Sequence, residues 1–470
     1  MKSLRAASAI AVLLTLSGCV VGPEHTPPET ALPAKFAEGS KKSNGDVSMA
    51  VWWTAFNDRR LTGYVSQGLD QNLTVLQALE RINAASANVT VAGAGALPNL
   101  GLGVSEDVNG QGGELRTQRG VGSTTSGSLS ASWLLDLFGQ YRRSRESAQA
   151  SLDSAYADID IARLALLSDL VSSYIDARYY QERIALARKN LASRRETLNL
   201  TRFQLEAGAA SRLDVVQAEG LVNATLSEIP GLETQFRIAV HHISTLLGLP
   251  ASSLVGEMQK GARQPYARMN TRSGIPADLI RNRPDIRKAE RELAAATAQI
   301  GVAEAQLYPA ITLGGSITPS YIATRSREGS LLNWSFGPSL TLPILDGGRL
   351  KAGVDIAKSN AKTQYLVWKA TVLRAVEEVE NALAAVTRDT QTVSALRAQV
   401  RSAEEALELA TASYKDGASS LLDVLDAQRS VSDARSGLAQ AVRQQAADYV
   451  ALNVAIGGGY APSGVVASTQ

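Results

Sequence analysis

The chain has one cysteine, Cys19, and three histidines, His25, His241 and His242, so thiol and imidazole chemistry have few places to occur. Cys19 closes the tetrapeptide "LSGC" after Lys2, Arg5 and an apolar run from Ala6 to Leu16. A short charged segment, a short apolar segment and a small-residue site make a secretory signal peptide, here residues 1–18. The run is too short to span a bilayer, which takes about 20 apolar residues. A lone cysteine has no intramolecular disulfide partner. The chemistry that suits "LSGC" is lipidation, with Cys19 as the mature N-terminus bearing acyl chains such as palmitate; a free thiol inside a signal sequence is the plainer alternative. Each buried CH₂ of an acyl chain contributes about 0.8 kcal/mol to anchoring. Val20 follows, where many inner-membrane lipoproteins hold an aspartate, so the expected address is the outer membrane. His241 and His242 are adjacent and point to different sides of a helix. Metal sites need clustered ligands, so no metal is expected. No GxSxG, P-loop or GxGxxG pattern occurs, and neither an enzyme nor a cofactor is expected.

With 47 basic and 45 acidic side chains among 470 residues, the chain lacks the basic surplus that nucleic acid would call for. Aromatics are only 5% of the sequence and alanine is abundant, which suits long helices packed through small residues.

The elements that position these residues come in two copies. "GAASRLDVVQA" (Gly208 to Ala218) and "GASSLLDVLDA" (Gly417 to Ala427) agree at seven of eleven positions. "ALPNLGLGVS" from Ala96 matches "LYPAITLGGS" from Leu307, and "DLFGQYR" from Asp136 resembles "PILDGGR" from Pro343. Each copy opens with a helix, predicted from Leu61 to Ala96 and from Ala277 to Gln306, which Pro98 and Pro309 end. Two alternating segments follow, with Leu100, Leu102 and Val104, then Leu129, Trp133 and Leu135, among small polar residues; the second copy has Ile311, Leu313 and Ile317, then Trp334, Phe336 and Leu340. Period-two alternation predicts strands with one apolar face, and so two hairpins. Glycine- and proline-poor helices then run from Gln140 to Ala207 and from Arg349 to Asp416, each about 100 Å at 1.5 Å per residue. Ile184, Leu191, Leu198 and Leu205 recur every seven, and Leu407, Ala410 and Tyr414 step by three and four, as in a coiled coil. Gly208 and Gly417 end the long helices. Ser211 and Ser420 start return helices with Asp214 and Asp423 three residues on, a capping box. The twin motif is therefore the tip of an antiparallel helical hairpin, made twice. A kink is expected at Pro230. The expected division is residues 19–60 as a lipid-anchored, proline-rich tether, 61–247 as the first repeat, 248–276 as an equatorial linker, 277–457 as the second repeat and 458–470 as a tail.

Four strands cannot close a barrel, and an open sheet edge is forbidden in lipid. Closed membrane barrels start at about eight strands. These strands have the length, about 9–11 residues, that crosses a bilayer, and Trp133 and Trp334 suit its boundaries. A soluble β-sandwich beside a coiled coil is the alternative; secretion, the acylated cysteine and the one-faced strands favour the membrane. Three chains would supply twelve strands and twelve helical strokes. The expected fold is mostly α with a small β part: a trimeric twelve-stranded β-barrel continuous with a twelve-helix periplasmic α-barrel, built from a tandem repeat.

The lipobox "LSGC", "VGPEHTPPE", "WWTAFNDRRL", "LDGGR" and "LLDVLDAQ" together resemble the TolC-type outer-membrane efflux channels, in particular their lipid-anchored OprM and NodT-like branch. The resemblance covers essentially the whole mature chain. It implies a homotrimeric duct, passive and lipid-anchored, that docks through its helical tips onto a periplasmic adaptor and an inner-membrane RND-type pump. It would release drugs or other small toxic compounds and so confer antibiotic resistance; a duct for type I secretion or metal export is the alternative. Only four methionines occur, none in a helical stripe, which weighs against copper or silver. The resemblance implies that Gly208, Ala209, Ser211, Gly417, Ala418 and Ser420 touch the adaptor, and that Asp423 and Asp426, with Asp214, constrict the periplasmic gate. Gln217 stands where a second acid of the first copy would be, and Ser419 where the family has a latching arginine. Helix capping is the plainer alternative for Asp214 or Asp423 taken alone. Asp426 has no acidic twin, and threefold symmetry would gather three copies of it into a ring of like charge.

Overall fold

The computed structural model describes residues 20–29, 36–38, 51–115, 120–267, 283–324 and 327–459. Cys19 and the signal segment lie outside these residues, as do residues 30–35 and 39–50 of the expected tether, the end of the expected linker, the start of the expected second repeat and nearly all of the expected tail. The chain forms two compact units that cut across the sequence repeats. One draws on Met1–Thr30, Glu80–Tyr156 and Lys288–Ala370, the other on Ala31–Leu79, Ala157–Arg287 and Thr371–Gln470.

The order is α1 (Arg59–Gln71), α2 (Leu73–Ala94), β1 (Asn99–Gly110), β2 (Val121–Leu135), α3 (Gln140–Glu206), α4 (Arg212–Leu246), a short α5 (Val255–Met258), α6 (Pro284–Ala305), β3 (Ala310–Ala323), β4 (Glu328–Thr341), α7 (Arg349–Lys415) and α8 (Leu421–Ala455). Corresponding helices have equal lengths: 22 residues in α2 and α6, 67 in α3 and α7, 35 in α4 and α8. The order helix, two strands, long helix, return helix thus occurs twice among the described residues, from α2 to α4 and from α6 to α8. One expectation is corrected. The leading helix predicted from Leu61 to Ala96 is two helices, because Asn72 leaves helical geometry at ψ 125°. Its Oδ1 accepts the N–H groups of Thr74 and Val75 at 2.9 and 3.1 Å, and its amide nitrogen donates to the Leu246 carbonyl at 2.8 Å. Asn72 therefore caps α2 and ties it to the end of α4. That α4 remains one helix through Pro230.

In the first unit the strands form one antiparallel sheet in the order β1-β2-β3-β4. Its register sorts the side chains by chemistry. Leu102 lies opposite Leu129, Leu129 opposite Ile317, and Ile317 opposite Trp334. Leu100, Val104, Leu313, Phe336 and Leu340 share that face by parity. The other face carries Ser105, Ser126, Ser130, Ser316 and Ser335, with hydroxyl pairs Ser105–Ser126 and Ser316–Ser335 at 3.0 Å each. The apolar face is continuous across all four strands and largely exposed. β1 and β4 are the sheet's two edges.

In the second unit the helical hairpins pack as the heptads predict. Leu191 and Leu198 of α3 bury against Val215, Ala218 and Val222 of α4, with Leu205 alongside. Each such leucine contributes about 1.5–3 kcal/mol when fully buried. Tyr414 of α7 packs on Leu421, Val424 and Leu425 of α8, flanked by Leu407 and Ala410. "WWTAF" forms a 3₁₀ turn, Trp52–Phe56, with Trp52, Trp53 and Phe56 buried. Tyr449 meets Trp52 and Phe56 edge-on, at 6.2 and 5.5 Å between centroids. Asp58 caps α1 and accepts a 2.5 Å hydrogen bond from the Tyr174 hydroxyl. Burial, then that bond, pushes the Tyr174 phenol up to about 12, against the nearby Arg178 guanidinium.

Candidate functional site

The helical tips of the second unit are geometric twins. Gly208 and Gly417 have φ of +75° and +74°, a conformation that suits glycine. Past α3, the Ala209 N–H reaches the Gln204 carbonyl at 2.7 Å; past α7, Ala418 N–H reaches the Ser413 carbonyl at 2.8 Å. Gly208 N–H bonds the Leu205 carbonyl and Gly417 N–H the Tyr414 carbonyl, so both ends are Schellman motifs. The return helices begin with matching capping boxes. Asp214 Oδ2 accepts the Ser211 N–H at 2.8 Å and Asp423 Oδ2 that of Ser420 at 3.0 Å. The serine hydroxyls accept the Asp214 and Asp423 N–H groups in return. Gly208, Ala209, Ser211, Gly417, Ala418 and Ser420 are all exposed.

The three candidate gate acids therefore divide. Asp214 and Asp423 are committed to capping. Asp426 is exposed, one turn further on, and its Oδ1 accepts the Arg429 guanidinium at 2.8 Å. An exposed i,i+3 pair of this kind contributes little. Leu213 and Leu422, at corresponding positions of the two tips, are exposed apolar residues that the motif reading passed over. Their signal was visible as the leucine between the cap serine and the aspartate in both copies.

A polar seam joining the two hairpins also escaped the sequence. Asn190 of α3 donates to Ser432 of α8 at 3.0 Å, and Gln428 of α8 donates to Thr197 of α3 at 2.8 Å. The Tyr414 hydroxyl of α7 bonds the Gln204 side chain of α3. Buried Arg194 donates to Thr225 and leaves its Nε without a hydrogen-bond partner. Burial holds its guanidinium below the ordinary value, opposed by Glu228 and Asp433 and aided by Arg429. The Ser419 hydroxyl, at the second tip, donates to the Ala410 carbonyl at 3.5 Å. Heptad counting finds apolar seams and is blind to these polar ones.

In the first unit, the residues that follow Cys19 are strapped down. Val21 N–H donates to the Phe138 carbonyl at 3.2 Å. Arg143 donates from Nε to the Val21 carbonyl at 3.1 Å and from Nη2 to that of Gly22 at 3.0 Å. Gly22, at φ +91°, lies against Gly301 so closely that a Cβ on it would fall 2.4 Å from the Gly301 Cα. His25 Nε2 pairs with Glu290 at 2.6 Å. This part of the tether is thus docked. Cys19 itself lies just outside the described residues.

Of the two expected boundary aromatics, Trp133 lies near the helix-side end of β2, and its indole donates to the Ala96 carbonyl at 2.9 Å. Trp334 is exposed midway along β4, on the same face. Among the described residues, no three His, Cys, Asp or Glu side chains converge as a metal site.

Known proteins share this arrangement. The family model described as "Outer membrane efflux protein" matches residues 64–249 and 275–458, one stretch for each copy. "Nodulation protein T" of Rhizobium leguminosarum bv. viciae is 61% identical over 461 residues, covering 98% of this chain and 95% of that one. "Outer membrane protein OprJ" of Pseudomonas aeruginosa is 32% identical over 428 residues, 90% of this chain and 89% of that one. The solved structure of the outer-membrane channel OprN superposes with a TM-score of 0.84 at 32% identity, over 94% of this chain and 99% of that one.

Proposed function

The chain belongs to the outer membrane efflux protein family, and on that premise we propose that three copies close into one channel, lipid-anchored at Cys19 and extending into the periplasm. The duct is passive. It receives drugs or other small toxic compounds from an inner-membrane pump of the RND type through a periplasmic adaptor, and releases them outside. One observation carries this reading: a four-stranded sheet with two free edges and a continuous, exposed apolar face. Exposed edges are a liability in water and forbidden in lipid, and closure removes them. The apolar face turns to lipid and the serine face lines a wet lumen. The capped tips present Leu213 and Leu422 beside Gly208 and Gly417 to the adaptor. Asp426 forms the gate; Asp423 holds the turn before the helix that carries it, and Asp214 holds the matching turn of the first tip.

Purified protein in mild detergent, weighed intact and inserted into planar bilayers, tests the proposal. The expected result is a trimer with cation-selective conductance, kept low by the tips. A single subunit, soluble once Cys19 is replaced by alanine and silent in bilayers, would refute it.

A further inference from the structure

Near the C-terminal end of α8, acceptor oxygens gather that their own donors do not satisfy. The carboxylates of Asp389 on α7 and Asp448 on α8 lie within hydrogen-bond reach of each other, and each disfavours the other's charge. Asp389 Oδ2 is buried and unpartnered among the described residues. Gln445 precedes Asp448 by three residues, on the same face of α8. It is 3% exposed, and its Oε1 is likewise buried and unpartnered. Its Nε2 donates to Thr390 Oγ1 at 3.4 Å, which holds the carboxamide beside Asp389. The basic side chains nearest in sequence are engaged elsewhere. Arg388 donates to Glu38 and to the Ala384 carbonyl, and Arg443 donates to Asp176.

The first hairpin shows that the fold does not require acids here. α3 corresponds to α7, and α4 to α8, at a spacing of 209 residues. Asp389, Gln445 and Asp448 therefore answer to Tyr180, Phe236 and Ala239. Phe236 and Ala239 are buried, so the first copy closes this joint by apolar packing. The second copy puts two carboxylates and an amide oxygen in the same place. Burying like charges without a counter-ion is costly.

We propose that Asp389, Asp448 and Gln445 bind one divalent cation per chain, of the calcium type. Every ligand is an oxygen, which selects a hard cation, and two carboxylates balance two positive charges. Calcium accepts carboxylate and amide oxygens in flexible geometry, with water completing its shell, whereas magnesium demands a near-ideal octahedron. The raised Asp389 carboxyl is consistent with a pair that lacks a positive neighbour. The site lies about 40 Å from the second tip along α7, at 1.5 Å per residue. There the cation clasps α7 to α8 on the hairpin that carries Asp426, without touching the gate.

Calorimetry with calcium chloride tests the site, on full-length protein in mild detergent at pH 7.5. An Asp426→Ala background keeps the candidate gate acid from competing. The expected result is one calcium per chain with a Kd of about 0.1–1 mM, the range of weak all-oxygen sites. Asp389→Asn should weaken that binding at least tenfold. Gln445→Leu keeps both acids and should weaken it at least tenfold as well, which a diffuse attraction to negative charge would not do. Glu408→Gln, at an exposed acid elsewhere on α7, should leave it unchanged. Hydrogen exchange on the unsubstituted protein needs no variant to fold: calcium should slow the amides around Asp389 and Asp448 at least tenfold. Absence of saturable calcium uptake, uptake that survives both Asp389→Asn and Gln445→Leu undiminished, or exchange at these amides that calcium does not change, overturns the proposal.

Discussion

Replacing Gly22 by alanine should release the strap that follows Cys19. Two costs add at this position. At φ +91° a residue with a Cβ sits in the left-handed region, at about 1–2 kcal/mol. The new Cβ also falls 2.4 Å from the Cα and 2.9 Å from the backbone nitrogen of Gly301, which lies inside α6 and cannot rotate away. Overpacking of this kind costs about 1–3 kcal/mol. Against these stand three hydrogen bonds: one neutral, from Val21 N–H, at about 0.5–1.5 kcal/mol net, and two from the Arg143 guanidinium at about 1.5–3 kcal/mol each. The two sides are comparable, so the strap should open far more often without the sheet unfolding. A loss of about 2–5 kcal/mol raises the open population by about 30- to 3,000-fold, at tenfold per 1.4 kcal/mol. Hydrogen exchange on the peptide spanning Val20 to His25 reads that population directly. Gly63→Ala, in α1 with open space around it, is the control and should leave this peptide unchanged. If Gly22→Ala exchanges no faster than wild type in a protein of unchanged mass and melting temperature, the clamp as described is wrong.

Ser420→Ala removes the second capping box and should weaken the start of α8 by about 0.5–2 kcal/mol, with faster amide exchange over Leu421–Val424. Because the first tip has the same geometry, Ser211→Ala should accelerate exchange at the start of α4 to a similar degree, and a tenfold disparity would contradict the twin description. Asp426→Ala should raise single-channel conductance and lower cation selectivity in bilayers; an intact trimer of unchanged conductance would remove Asp426 from the gate. Burial and the neighbouring Asp448 carboxylate push the Asp389 carboxyl up to about 6. A raised acid pKa means the folded state holds its proton longer, so stability is fullest below about pH 4 and falls as pH rises toward 6. Asp389→Asn should flatten that part of the pH profile and raise the melting temperature at pH 7.5; an unchanged difference between melts at pH 5 and pH 7.5 would exclude the pair as its source.

The tips were legible because their signals are local. A glycine, a serine and an aspartate three residues on determine a turn and a cap whatever lies around them. The strands were legible for a similar reason, since alternation marks a face without naming what covers it. The break at Asn72 was available in principle. Asn-Leu-Thr is an acceptable cap sequence, but the apolar beat on either side reads through it. What decides the break is the bond from Asn72 to the Leu246 carbonyl, a partner far away in the chain. The strap at Gly22 is of the same kind. Its composition reads as a tether, and only the close approach of Gly301 makes that glycine necessary. Arg194 and Gln428 were missed because a buried polar side chain in a heptad looks like a surface position until its neighbours are known.

Duplication with divergence also explains which apolar side chains a single chain leaves uncovered. Leu200 of α3 packs against the cluster of Leu421, Val424 and Leu425 at the start of α8. That contact joins the first hairpin to the second. At the 209-residue spacing of the tip motifs, Leu200 carried forward becomes Leu409 and Leu425 carried back becomes Val216. Leu409 and Val216 are 63% and 49% exposed. Were the single chain the finished structure, nothing would relate those two exposures. In the proposed trimer they are one contact, the second hairpin of one subunit meeting the first hairpin of the next. The sheet edges and the helical tips belong to separate compact units, yet each leaves bare the surfaces that its own internal joint buries in the other copy. The proposed ring of six alternating hairpins would leave neither surface bare, and its threefold character would show where the copies differ, with Asp426 in one tip and Gln217 in the other.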